Sequence, residues 1–288
     1  MDFTRSLITG IADFDFSLVP LFVVFVALEA LFPRERTAAS VAARLRANAP
    51  SQLKAAAFWL VWVPFAVLTA MLYQALWSKL GVKPLLPSLS PGGLPRPLSV
   101  AIGAVAAAFV GDFVYYWCHR AQHRFFWRFH AVHHSVRQMS GVAAYHHVSE
   151  EAFKVALYAL PLALFTTDPY ALPVIGLVLG WQGNYLHSPI RLHLGPLGRL
   201  IQDNRFHRIH HSIEPRHFDK NFGVFCTLWD WLFGTAYFPA ADEWPRTGLA
   251  DQPEPESIAS YLTAPFRQAS RAAAPEAPCP MLGQARGE

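Results

Sequence analysis

Three apolar runs, separated by short basic stretches, dominate the pattern of hydrophobic and polar positions in this chain. Phe16 to Phe32 (FSLVPLFVVFVALEALF) is the first, interrupted by Glu29; Ala57 to Trp77 is the second and Leu98 to Trp117 the third. A bilayer core about 30 Å thick needs roughly 20 apolar residues in a helix, so each run predicts a membrane span. Ala152 to Leu186 is too long for one crossing and is broken by Thr166-Thr167-Asp168-Pro169, which predicts a helical hairpin. The expected fold class is therefore an all-α integral membrane protein. It has about four to five membrane-embedded helices, three spans plus the hairpin.

The polar stretches between the runs set an orientation. Arg34, Arg36, Arg44, Arg46 and Lys54 follow the first run; Arg120, Arg124, Arg128 and Arg137 follow the third. Excess Lys and Arg marks the cytoplasmic side. Both stretches, and the residues after the hairpin near His187, then share that side, with the N-terminus opposite. The first run is flanked by Pro33-Arg34-Glu35-Arg36 without a small-residue cleavage pattern, so it reads as an anchor. Gly81 to Pro97 reads as an ordered loop, and Gly195-Pro196-Leu197-Gly198 breaks the chain after the hairpin. The expected organisation is an N-terminal segment over 1–15, one folding unit over 16–240, an exposed linker and surface segment over 241–267, and a disordered tail over 268–288. Within 241–267, Tyr261 to Arg267 is the amphipathic part.

Composition supports the membrane reading. The chain is 53% hydrophobic and 15% charged, with 22 Phe and 9 Trp among 288 residues. The net charge of +4 fits a protein resting on anionic headgroups. Basic character also suits nucleic acid, but no basic block with interleaved aromatics supports that partner. Cys118, Cys226 and Cys279 form no CxxC pair and no even-numbered framework.

The chemistry lies in the polar stretches. Eight of thirteen histidines fall into three clusters: His119-x3-His123, His130-x2-His133-His134 and His207-x2-His210-His211. Residues three or four apart share a helix face. Were Trp117 to Ser135 one helix, its five histidines would form a single stripe, with His207, His210 and His211 a second. Imidazole is the commonest transition-metal ligand, and eight rings exceed what one ion takes. Two metals suit them.

The motifs around these clusters resemble the fatty acid hydroxylase (sterol desaturase) superfamily. The resemblance is carried by Asp112-Phe113-x2-Tyr116-Trp117-x-His119-Arg120-x2-His123-Arg124 and by Trp127-Arg128-Phe129-His130-x-Val132-His133-His134-Ser135. Further matches are His207-Arg208-x-His210-His211-Ser212, Asp219-Lys220-Asn221-Phe222-Gly223 and Trp229-Asp230-x-Leu232-Phe233-Gly234-Thr235. Together they span roughly residues 100 to 240. The resemblance implies a membrane-bound, O₂-dependent oxidoreductase, a hydroxylase or desaturase of lipid or sterol-like C–H bonds. Its cofactor would be two iron ions, for which zinc substitutes on overexpression. It implies two further ligands, His147 (with Glu150, though Val148 departs from the pattern's proline) and His187 (with Pro189 in place of a usual asparagine). His146, His193 and His217 rank below these.

Ring N–H groups of metal-bound histidines are normally held by carboxylates or carbonyls, and Asp112, Glu150, Asp203, Asp219 and Asn184 are available. Nothing resembles a haem, flavin or iron–sulfur domain, so electrons are expected from a separate ferredoxin or cytochrome with its reductase. The expected location is a bacterial inner membrane, multi-pass, with the histidines in a cytoplasmic helical cap. Two other classes compete. A zinc-dependent membrane hydrolase would suit the histidines but lacks His-Glu-x-x-His. A metal or haem-binding transport protein would place them inside the apolar spans.

Overall fold

The computed structural model describes residues 3–34, 39–81, 88–154, 157 and 171–267, without the side chains of 14–17 and 171–177. Three long helices carry the apolar runs: α1 (Phe3–Leu31), α2 (Val41–Leu80) and α3 (Arg96–Phe125). All three are long and apolar enough to cross a bilayer. The chain is a helical membrane protein, with no strand among the described residues.

Local chemistry sets the helix ends. The Ala43 N–H donates to Ser40 Oγ (3.2 Å) at the start of α2. Gly81 ends it in the left-handed region (φ 61°), donating to Ser78 O. Pro95 precedes α3, where its missing N–H costs nothing. Short helices follow: α4 (Trp127–His134), α5 (Glu150–Lys154), α6 (Ala171–His187), α7 (Asn204–His210), α8 (Leu228–Leu232) and α9 (Ile258–Arg267). Helix α6 covers the second arm of the expected hairpin; most of the first arm and the turn at Thr166–Pro169 lie outside the described residues.

The Glu29 that interrupts the first run is buried and pins three segments. It accepts from Gly141 N (2.6 Å), Ser188 Oγ (2.9 Å) and Gln52 Nε2 (3.0 Å). Gly141 must be glycine for this approach, because a Cβ there would meet the Phe25 ring at 2.7 Å. Just below, Pro33 bridges Ile190, so the end of α1 is tied to the chain leaving α6.

Two expectations are corrected. Trp117–Ser135 is not one helix: α3 ends at Phe125, Phe126 takes φ −122° and ψ 20°, and α4 starts afresh at Trp127. A straight helix would hold His119 and His130 roughly 16 Å apart along its axis, at 1.5 Å per residue. The break folds them to 2.9 Å. The stretch 241–267 is also more than an exposed linker. Tyr261 on α9 is fully buried, stacks on Phe58 at 4.6 Å and donates its hydroxyl to His146 O (2.6 Å). Phe58, Tyr145, Tyr261, Val132, Val136 and Met139 form a core under the cap. Burying a side chain of that size stabilises by about 1.5–3 kcal/mol. Glu254 joins it to the linker, bonding Lys54 (3.1 Å) and the Arg137 N–H (3.1 Å).

Candidate metal centre

Four segments bring the histidines together at the end of the bundle. Helix α3 supplies His119 and His123, α4 supplies His130, His133 and His134, α6 ends on His187, and α7 with its C-cap supplies His207, His210 and His211. They divide into two groups. In the first, one ring nitrogen each of His119, His123, His130, His134 and His210 lies within 4.8 Å of every other; in the second the same holds for His133, His187, His207 and His211. All nine side chains are buried. The groups abut: His134 stacks on His211 at 4.4 Å and His130 lies 5.3 Å from His133.

The hydrogen bonds decide which nitrogen faces inward. His119 Nδ1 bonds Phe222 O (2.7 Å), His210 Nδ1 bonds Lys220 O (2.7 Å), His133 Nδ1 bonds Tyr145 O (2.9 Å) and His187 Nδ1 bonds Gly183 O (2.7 Å). A carbonyl can only accept, so each Nδ1 carries the proton and each Nε2 is left as a bare lone pair. His130 Nδ1 and His123 Nδ1 make the same arrangement with Glu150 (3.1 Å) and Asp219 (3.2 Å).

The Nε2 atoms then face one another. His119 and His130 are 2.9 Å apart, His123 and His134 3.1 Å, His133 and His187 3.2 Å, His187 and His207 3.1 Å. In the His119–His130 and His133–His187 pairs both inward nitrogens lack a proton, so the contacts are repulsive as they stand. A cation between them reverses the sign. Separations near 3 Å are those of neighbouring ligands about 2.0–2.1 Å from one ion. The residues present therefore fit a metal in each group.

Electrostatics favour the ligating form. Burial, then the neighbouring imidazoles, hold His133, His134, His207 and His211 well below the usual imidazole range. Burial pushes His210 down to about 3. These five rings are neutral at physiological pH, as metal binding requires.

The surrounding loop has its own scaffold. Asp112 accepts from the N–H groups of Val224 (2.7 Å), Phe225 (2.9 Å) and Cys226 (2.9 Å), while Asp230 accepts from Phe222 (2.7 Å) and Gly223 (2.9 Å). Burial raises Asp230 to about 6. Asp219 and Asn221 sit at φ 57° and 60°, a conformation that asparagine and aspartate tolerate best among residues with a side chain. Those turns aim Asp219, Lys220 O and Phe222 O at three different rings of the first group. Asn221 locks the segment by donating to Phe206 O (2.7 Å) and Tyr237 O (2.9 Å).

Of the ten histidines singled out from the sequence, nine converge and His147 does not. Its ring bonds Ser149 Oγ (2.6 Å) and Leu262 O (3.3 Å), facing α9. Its neighbour His146 takes the inner place, stacked on His133 at 4.0 Å and bonded to Glu150 (3.2 Å). His146, His130 and Glu150 form a third compatible group. The i, i+4 spacing of His146 and Glu150 was the available signal. Among the expected acceptors, Glu150 and Asp219 reach rings. Asp112 grips the loop, Asp203 caps α7 and Asn184 donates to Gly180 O. Backbone carbonyls, which have no sequence signature, do the rest. His217 lies elsewhere, bonded to Ser212 and Glu243. A cavity of about 280 Å³ opens onto the first group, lined by His123, Trp127, His134, His210, Phe218 and Asp219.

Residues 104–235 match the fatty acid hydroxylase family. An ornithine lipid hydroxylase of Rhizobium tropici is 30% identical over 184 residues, covering 63% of this chain and 54% of that protein. The alkylglycerol monooxygenase of Homo sapiens is 32% identical over 146 residues, covering 50% of this chain and 32% of that protein. A very-long-chain aldehyde decarbonylase of Oryza sativa is 28% identical over 151 residues, 46% of this chain and 24% of that protein. The matches thus span about half or less of these relatives' length. No solved structure matches.

Proposed function

We propose that this chain, which carries a fatty acid hydroxylase domain and belongs to that superfamily, is a membrane-bound oxidoreductase using O₂ to hydroxylate or desaturate a lipid C–H bond. The observation that carries the reading is the convergence of nine buried imidazoles in two abutting groups, with bare nitrogens facing each other at 2.9–3.2 Å. His119, His123, His130, His134 and His210 would hold one iron, and His133, His187, His207 and His211 the other. His147 is left out of the ligand set, and His146 stands beside it.

Bound iron supplies an oxidising power that no side chain has. The protein's own part is to position and to shield. Lys220 O, Phe222 O, Tyr145 O, Gly183 O, Asp219 and Glu150 keep the Nδ1 protons outward, so the lone pairs stay inward. Burial raises the Glu150 carboxyl, and its His146 and His130 donors outweigh that, so it stays ionised. Trp127 and Phe222 lie against His123 at 5.1 Å and 4.9 Å and pack its ring from two sides. Neutral ligands keep carboxylates away from the hydrocarbon phase, where charge is costly.

The relatives that act on ornithine lipid and alkylglycerol, together with the three apolar helices, support a lipid substrate reached from the bilayer. The basic flanks support a cytoplasmic site in a bacterial inner membrane, with electrons from a separate ferredoxin or cytochrome system. The test is metal analysis of gently purified protein joined to lipid mass spectrometry under heavy-isotope dioxygen. Two irons per chain and label in the lipid are expected for a hydroxylase; loss of two hydrogens without label marks a desaturase. One zinc per chain with hydrolytic activity and no O₂ uptake overturns the proposal.

A further inference from the structure

We propose that the cavity where α1 ends and α2 begins binds the oxyanion headgroup of an anionic phospholipid. The cavity measures about 460 Å³ and is separate from the one at the histidines. Among the described residues three guanidinium-bearing side chains, Arg34, Arg44 and Arg137, line it with one carboxylate, Glu29, and Arg208 completes the wall. That carboxylate is already taken by Gly141, Ser188 and Gln52, all neutral donors. Arg34, Arg44 and Arg137 form no ion pair among the described residues. The side chains of Arg34, Arg44 and Arg208 are held in place. Arg44 donates to Ala30 O (2.7 Å) and Ala39 O, Arg208 donates to Pro245 O (2.7 Å), and the Trp244 ring lies under Arg208 at 4.3 Å and Arg34 at 5.3 Å.

Gathering like charges around one hollow is unfavourable unless an anion occupies it. Guanidinium forks match phosphate and carboxylate oxygens in pairs, which sets the chemical class. Position selects the source. The cavity lies where the apolar part of α1 gives way to the basic segment, the place at which a span is expected to meet the phosphate layer. Its remaining wall includes Ala39, Ala43, Ala47 and Met139, suited to a glycerol or acyl stem. A free phosphate would need no such wall. The site stands independently of the oxidation chemistry, because none of its four arginines is among the proposed metal-holding residues.

The experiment uses the full chain in neutral detergent, with retained lipid counted by native mass spectrometry. Phosphatidylglycerol and phosphatidylcholine of equal chain length are offered together, with inorganic phosphate in a second arm. Wild type is expected to retain phosphatidylglycerol with about a tenfold preference. The double variant Arg34→Gln, Arg137→Gln is expected to lose that preference while metal content per chain stays unchanged. Ser51→Asp, which keeps every arginine and adds an acid to the wall, is the second variant and is expected to show the same loss. Unchanged preference in either folded variant overturns the proposal. Inorganic phosphate binding without phosphatidylglycerol retention overturns the lipid source.

Discussion

In the group around His119, four of five rings give their outer nitrogen to an oxygen: Phe222 O, Asp219, Glu150 and Lys220 O. In the group around His133 only two of four do, through Tyr145 O and Gly183 O. His207 Nδ1 and both nitrogens of His211 have no hydrogen-bond partner among the described residues. The first group is therefore aimed by the fold before any ion arrives. The second leans on packing and on the ion itself. One segment, 219–222, accounts for most of the difference, since it serves three rings of the first group and none of the second. Orientation by outer partners is known to matter by factors of about 10–100 in metal affinity.

Removing a ligand from either group should erase the distinction, because the proposed chemistry uses both ions. His133→Ala and His210→Ala are each expected to lower turnover by at least about a hundredfold, measured as lipid product, with membrane insertion unchanged. Full activity in both would refute the ligand assignment. Graded chelation probes the comparison itself. Metal should leave in two steps, with the second group emptying first, and a variant His211→Ala should show only the tighter step. A single step in wild type would mean the groups are equally held.

Glu150→Gln takes the carboxylate from His130 and His146 and is expected to weaken metal binding about tenfold. His147→Ala, whose ring faces α9, should leave metal content intact; equal loss in both would return His147 to the ligand set. Asp112→Asn tests the loop without touching a ring. Weakening three charge-assisted bonds should cost about 1.5–3 kcal/mol, read as a lowered unfolding temperature. The smallest effect is expected from Asp219→Asn. The side chain is 57% exposed and asparagine keeps the left-handed backbone, so activity should fall by no more than about twofold to threefold.

Much of this molecule was legible in the chain. Three apolar runs announced α1, α2 and α3, because a span needs only length and hydropathy. Histidine spacing announced the clustering of imidazoles into groups that could hold metal, since residues on one helix face recur every three or four positions. His147 and His146 show where that reading stops. They are neighbours in a loop, and a single change of backbone direction decides which one turns inward. Tyr261 shows the same limit, its burial arising from a partner, Phe58, some two hundred positions away.

What the sequence determined alone was the inventory: apolar lengths, basic flanks and a surplus of imidazoles in helical register. The tertiary structure decided the grouping. The break at Phe126 folds α4 onto α3, and α6 and α7 bring His187, His207, His210 and His211 from elsewhere. Carbonyl oxygens of Tyr145, Gly183, Lys220 and Phe222 then choose which nitrogen each ring presents. Every residue has a carbonyl, so its role as an acceptor is set by position in space and leaves no mark in the order of side chains.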